Sequence, residues 1–471
     1  MIEVCRRQLN FAEGLIAEEV GELWEDWMRQ VDEVLSDQEL LGTVYEALAR
    51  RWPKSRTHGR KGTPAEVVLR LLLLKHIRNW SYAILEREVR ANLVYRQFTR
   101  VGAEKVPDAK TLGKLGLVLG PEVIEKIHQR VVAIAREKKI VRGRRLRVDT
   151  TVVETDIHYP TDSSLLGDAV RVLTRTMKKI AHLAGAAGEK LCDRTRSVRY
   201  RVIEIARASR SRSAQGQEKL KQIYHKLLAA TGRVVAQAQR FADEVAAGVK
   251  RARSRPDQAA LKANRQYLET MIPRVRQVIR QTRERILRGN THLAGKIVSL
   301  FEPQTEIIRK GKAAKPTEFG KMIKIQEAEG QIIIHYEAYD ERPNDVDLLL
   351  PALEVHRQRL GRVPRLATAD AAFFSIRNET AAHALGVKRL SIPNRATKSE
   401  ERKRLQKKRW FRNGQKWRTG SEGRISLVKR RHGLDRCRYK GQHGMKRWVG
   451  LGVIGDNLIN IGRALAISAK T

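Results

Sequence analysis

Acidic residues are scarce in this chain: 52 Asp and Glu stand against 94 Lys and Arg over 471 residues, a formal charge of +42. That much positive charge exceeds what solubility requires, disfavours a cationic partner and points to a polyanion, with nucleic acid the leading class. Cysteine is scarcer still. Cys5, Cys192 and Cys437 lie far apart and three thiols cannot all pair, which argues against a disulfide scaffold and sets the expectation of a cytoplasmic protein. Long apolar runs are missing too. The longest cluster, Val67 to Leu74, is interrupted by Arg70, so neither a spanning helix nor a membrane partner is expected. The first residues, Met-Ile-Glu-Val-Cys-Arg-Arg, lack the apolar stretch of a signal peptide. Zinc is short of ligands: His432, Cys437 and His443 are close in sequence, but a structural site needs four and no CxxC pair accompanies them.

What is present is a folded chain, 41% hydrophobic and long enough for roughly two to four domains. Residues 1–49 read as helix with acidic content from Glu13 through Asp37, and residues 50–61 as a basic loop. Thr63 then reads as a cap, Pro64 as the first helical residue and Glu66 as the end of a capping box before Val67 to Leu74. Ser81 opens a second helix, and Asp108 caps a third over residues 111–119. Three short helices with basic links fit a helix-turn-helix-like DNA-binding domain or a plain helical bundle packed on the rest. Pro121 starts a further amphipathic helix to about residue 139.

The stretch Arg144-Arg-Leu-Arg-Val-Asp-Thr-Thr-Val-Val-Glu154 reads as a strand, with Asp149 interrupting its β-branched and apolar residues. An aspartate there is either a strand-end residue facing solvent or a carboxylate held by a metal or a charged partner, because burying it alone costs several kcal/mol. From Leu166 the apolar spacing becomes three and four, recurring at Tyr224, Phe241, Val275 and Ile286 among others, and predicts a helical insertion over residues 165–300. Strands return at Lys321–Gln326 and Gln331–Tyr336, with Glu329-Gly330 as the hairpin turn. Asp345 and Asp347 read as caps of a helix to Arg359. Val363 to Asp370 reads as a buried strand ending in a carboxylate. A helix to Leu385, a strand at 387–392, a basic loop and a final helix from about Arg418 complete the order. This order fits an α/β fold: a ribonuclease H-like mixed-sheet core over residues 141–164 and 301–471, interrupted after its first strand by the insertion and preceded by an all-α domain at 1–140.

Asp149 and Asp370 thus hold comparable places on two strands that could be neighbours. A third carboxylate should come from the last helix, where Glu422 is the one acidic residue between Glu401 and Asp435. Glu154 or Asp156 would replace Asp149 if the strand register were shifted, and His158 reads as a loop histidine. Over residues 395–447, 20 Lys and Arg face 4 acidic residues, so Glu422 is either an ion-pair partner or a ligand.

Arg418, Glu422 and Lys429, separated by three and six residues, resemble the Arg-Glu-Lys part of the Tyr-Arg-Glu-Lys motif of bacterial insertion-sequence DDE transposases. With Arg147-Val-Asp-Thr-Thr-Val-Val-Glu154, His158-Tyr-Pro-Thr-Asp-Ser163 and Ala369-Asp370, the chain is similar to the ISNCY type over residues 60–160 and 315–465. Gln415 stands in place of the motif's tyrosine, and Ala371-Ala372-Phe373 follows Asp370 where relatives tend to have Gly and Tyr. The resemblance implies Asp149, Asp370 and Glu422 as catalytic ligands of two Mg²⁺ or Mn²⁺ ions, with Arg418 and Lys429 on DNA phosphates. Trp417 is a DNA-stacking candidate or a packing residue. Also implied are double-stranded DNA partners, namely terminal inverted repeats and a target, with a homodimer pairing two ends at the bacterial nucleoid. A domesticated metal-dependent nuclease and a catalytically inactive DNA-binding relative are the alternatives.

Overall fold

The computed structural model describes residues 1–5, 18–51, 53–185, 187–309 and 316–470. Part of the acidic helix expected over 1–49, Glu13 included, and Trp52 of the basic loop lie outside the described residues. The chain forms two compact units, one of residues Met1–Asp156 and Gly320–Thr471, the other of residues Ile157–Phe319. Residues 1–140 and the sheet, expected as separate domains, lie in the same unit.

That unit opens with helices α1 (Asp26–Leu35), α2 (Gln38–Arg51), α3 (Ala65–Ile77), α4 (Tyr82–Ala91), α5 (Leu93–Phe98), α6 (Ala109–Val118) and α7 (Pro121–Glu137). Ser81 and Asp108 cap α4 and α6 as expected, accepting from the amides of Ile84 and Thr111. The capping box before α3 does not form. Pro64 is the residue preceding the helix, no side chain caps it, and Glu66 instead accepts from Arg70 Nε at 3.0 Å. A helix apolar on every side belongs in a core, and all of α3 is buried. Its Arg70 is tolerated there because Asp32 Oδ1 lies at 2.6 Å and the Phe98 carbonyl at 3.1 Å.

Strand β1 (Arg145–Thr155) follows. The unit of residues Ile157–Phe319 holds four helices, α8 (Asp162–Ala184), α9 (Thr195–Ala208), α10 (Ala214–Ala246) and α11 (Arg255–Leu287), and a short strand β2 (Glu306–Arg309). Its own apolar cluster, from Leu165 to Leu300, packs α8 against α10 and α11.

The sheet resumes with β3 (Thr317–Glu327), antiparallel to β1, and β4 (Ile333–Ala338), antiparallel to β3. On the other side of β1 lie β5 (Leu366–Thr368) and β6 (Arg389–Ser391), both parallel to it, and β7 (Arg436–Cys437) joins β1 at Glu154 and Thr155. Between these strands run α12 (Leu349–Leu360), α13 (Ile376–Ala384), α14 (Glu400–Lys407) and α15 (Arg409–His432). Asp345 and Asp347 make no side-chain cap; Asp345 Oδ1 accepts from Thr150 Oγ1 at 3.1 Å.

The end of the chain differs most from expectation. The last basic stretch holds α14, and α15 begins at Arg409 rather than near Arg418. A 30-residue helix, α16 (Gly441–Lys470), follows where no further element was expected. It packs against α1, α3, α7 and β4, so the amino-terminal helices and the sheet share one core running from Trp27 to Ile461.

Candidate active site

Strand register brings the two aspartates together. In the parallel pair, Arg147 lies opposite Thr368, the last paired position, and Asp149 and Asp370 each come two residues further along the chain. Adjacent strands are about 4.8 Å apart, so Asp149, midway along β1, lies near Asp370, just beyond the carboxyl end of β5, and the two carboxylates are close enough to interact electrostatically. Asp370, already past its strand, accepts from the Ala371 amide at 2.7 Å.

Asp149 is mostly buried, its side chain 17% exposed. Its Oδ2 accepts from Ser421 Oγ at 2.7 Å and its Oδ1 from the Thr150 amide at 2.8 Å. Burial pushes its carboxyl above the usual range, and the charge of Asp370 adds to that push, while Ser421, the Thr150 amide and Arg418 hold it down. The net upward direction comes first from burial, with the nearby Asp370 charge a smaller contributor.

Helix α15 supplies the remaining groups because glycines let it lie close on the sheet. A Cβ on Gly414 would approach Ser391 Cβ to 2.8 Å. Arg418, Ser421 and Glu422 fall at three- and four-residue spacing on one side of the helix. Arg418 Nη1 lies 3.9 Å from Asp149 Oδ2 and its Nη2 donates to Glu422 Oε1 at 3.2 Å, so one guanidinium links two of the three expected acids. Its Nε is buried with no hydrogen-bond partner. Glu422 is the exposed member, 63% open to solvent. Among the described residues, no three carboxylate, imidazole or thiol groups converge closely enough to hold a metal, so the triad is not drawn together as a set of ligands.

The other expected residues are placed differently. Trp417 lies with its ring 5.0 Å from the Arg147 guanidinium, and its carbonyl accepts from Arg147 Nη1 at 2.6 Å. Lys429 is half-buried, two turns beyond Glu422. Glu154 and Asp156 face Arg436 at 3.6 and 3.8 Å. His158 is exposed, 3.6 Å from Asp168. Gln415, in the place of the motif's tyrosine, donates to the carbonyl and hydroxyl of Ser391 at the end of β6.

Sequence reasoning missed the support beneath the site. Arg147 and Glu327, side by side on β1 and β3, form a buried bidentate pair, and Arg424 of α15 reaches Asp456 of α16 at 3.1 Å. Ser421 was missed as well. Its position one residue before Glu422 was the available signal, but only the crossing of α15 over β1 assigns it to Asp149.

Two family models match the chain. Residues 23–115 match a transposase domain, DUF772, and residues 382–461 match a transposase DDE domain. The second match takes in α15 with Arg418, Ser421 and Glu422. No curated protein and no solved structure matches the chain.

Proposed function

The chain is an insertion-sequence DDE transposase, a DNA polynucleotidyl transferase, and on that premise we propose that Asp149, Asp370 and Glu422 form its acidic triad. On this reading it binds the terminal inverted repeats of its own element, cleaves DNA at their ends and joins the freed 3′-hydroxyl to target DNA. The observation that carries the reading is the β1–β5 register, which makes neighbours of Asp149 and Asp370. The strand order β4-β3-β1-β5-β6, antiparallel on one side of β1 and parallel on the other, supports a ribonuclease H-like core interrupted after its first strand by the helical unit.

DDE transposases use divalent metal ions, and the chemistry of the three proposed donors, all carboxylates, is the hard-oxygen kind such an ion takes, although the three are not gathered into one ligand set. Asp149 and Asp370 lie close enough to interact, and Asp149 is pushed upward first by burial and then by that neighbour. Asp149, Asp370 and Glu422 would hold Mg²⁺ or Mn²⁺, two ions on our reading, which when bound polarise the scissile phosphate and activate the attacking oxygen. Hydrolysis forms a bond from water to phosphorus and leaves a 3′-hydroxyl; in strand transfer that hydroxyl attacks a target phosphodiester, whose own 3′-oxygen departs. Arg418, with its buried Nε unpaired, is the group we assign to a phosphate beside the scissile bond. Lys429 is assigned a phosphate further along the same helix.

The ISNCY type and the Arg418-Glu422-Lys429 motif are part of this proposal, as is a homodimer that pairs two ends at the nucleoid. DNA contact by the amino-terminal helices falls to α4 and α6 rather than the buried α3.

The test uses the purified full chain and DNA carrying the inverted repeats that flank its reading frame. Asp149→Ala, Asp370→Ala and Glu422→Ala each keep end binding and lose Mg²⁺-dependent cleavage. Normal cleavage by any of the three would refute the triad. Joining of a pre-cut end separates a transposase from a nuclease on the same fold, and cleavage by the parent chain separates both from an inactive relative.

A further inference from the structure

At the amino-terminal end of β1, four residues before Asp149, lies a cleft of about 910 Å³. Arg145, Leu366 and Arg389 stand in register across β1, β5 and β6 at its edge, and Arg365, Lys388 and Arg409 add three more cations. No acidic residue lines it. With Arg144 the cations number six, all exposed; the Glu329 carboxylate accepts from the backbone amides of Arg144 and Arg145, but among the described residues none of the six side chains forms an ion pair with a carboxylate. Solvent screens the repulsion among these exposed cations, and an anion placed between them is favoured.

The wall of the cleft is the amino-terminal part of α15. Trp410 and Trp417 lie about two turns apart on it, and both border the open space. Gly414 lies between them, where the absence of a side chain brings the helix down onto Ser391. The Arg389 guanidinium lies 5.7 Å from the Trp410 ring, a pairing that keeps a cation at the edge of an aromatic surface.

We propose that this cleft binds a short unpaired stretch of DNA, phosphates on its cations and bases against its indoles, away from the reacting phosphate. Cations that follow a backbone beside aromatic rings are the combination that holds single strands without reading their sequence. The volume suits a few nucleotides, and a paired duplex does not expose base faces to the indoles. Arg145 is four residues from Asp149 on the same strand, about 13 Å at the rise of a β-strand. A DNA strand passing the carboxylates therefore reaches the cleft within a few nucleotides. The inference takes from the proposed function only that the polymer is DNA, and it does not depend on the triad.

The experiment measures fluorescence anisotropy of a labelled oligo(dT), about ten nucleotides long to suit a single-strand site, with the full chain. A duplex of equal length and inorganic phosphate serve as competitors. The cleft variant is Arg389→Ala/Arg409→Ala, two exposed positions, with circular dichroism confirming its fold. The expected result is at least a tenfold loss of oligo(dT) affinity in that variant, with duplex and phosphate as poor competitors. Trp410→Leu should remove part of the tryptophan quenching that oligo(dT) produces. Unchanged affinity in the double variant, or equal competition by duplex or phosphate, overturns the proposal. Cleavage surviving Asp149→Ala would sink the triad and leave the cleft standing, while normal binding by the cleft variant would do the reverse.

Discussion

Among single side chains, Lys75 on α3 is the clearest case of a charge held by its surroundings rather than by a counter-ion. Its Nζ lies 4.9, 5.2 and 4.8 Å from the rings of Tyr82, Tyr439 and Trp448, and the residue is 2% exposed. The three rings favour the ammonium, but burial pushes its pKa from 10.5 down to about 7, with Arg438 and Arg447 pushing the same way. An unfolded lysine keeps its proton until about 10.5, so between the two values the unfolded chain binds more protons than the folded one. Stability should therefore rise with pH across that interval, and below about 7, where both states are protonated, Lys75 gives no pH dependence and the cost of burying its ammonium is fully present. Urea midpoints measured from pH 7 to 10 should climb in the parent and lose that part of the climb in Lys75→Met. Both aspartates were legible at this scale because Asp149 interrupts an apolar strand and Asp370 follows one directly. Ser421 and Arg424 were not, since their partners are remote in sequence and follow from packing.

Helix α16 shows what propensity misses. Glycines at 444, 450, 452, 455 and 462 weaken any helical reading of residues 441–470. In the fold they let the helix press against its neighbours: a Cβ on Gly462 would fall 2.7 Å from the Trp27 carbonyl oxygen, and one on Gly452 would fall 2.1 Å from Leu434 Cδ1. Burial of Leu451, Ile454, Leu458 and Ile461 offsets the entropic cost of those glycines. Gly462→Val, which meets backbone rather than a movable side chain, should lower stability by about 1–3 kcal/mol in chemical denaturation. Gly42→Ala on α2, where nothing lies within 4 Å, should raise it by about 0.5–1 kcal/mol. Opposite signs from two helical glycines separate close packing from propensity.

In the whole molecule, two compact units with separate apolar clusters imply separate cooperative unfolding. Calorimetry should resolve two transitions. Leu227→Ala on α10, in the cluster of the helical unit, should move one of them by about 2–5 kcal/mol, and Leu69→Ala on α3 the other. A single transition shifted by both substitutions would contradict independent cores.

Composition and periodicity, both local properties, determined the class of partner, the existence and type of most elements, and the two strands that carry Asp149 and Asp370. A charge of +42 and a three-four or alternating apolar pattern need no knowledge of what packs where. Tertiary structure alone decided the rest. It merged the amino-terminal helices with the sheet through α16, buried α3 that had been read as the start of a DNA-binding domain, and gave Asp149 its Ser421 and Arg418 contacts. It also set the register of β1 against β5, because pairing between strands some 220 residues apart is chosen by the whole core and leaves no local trace in either strand.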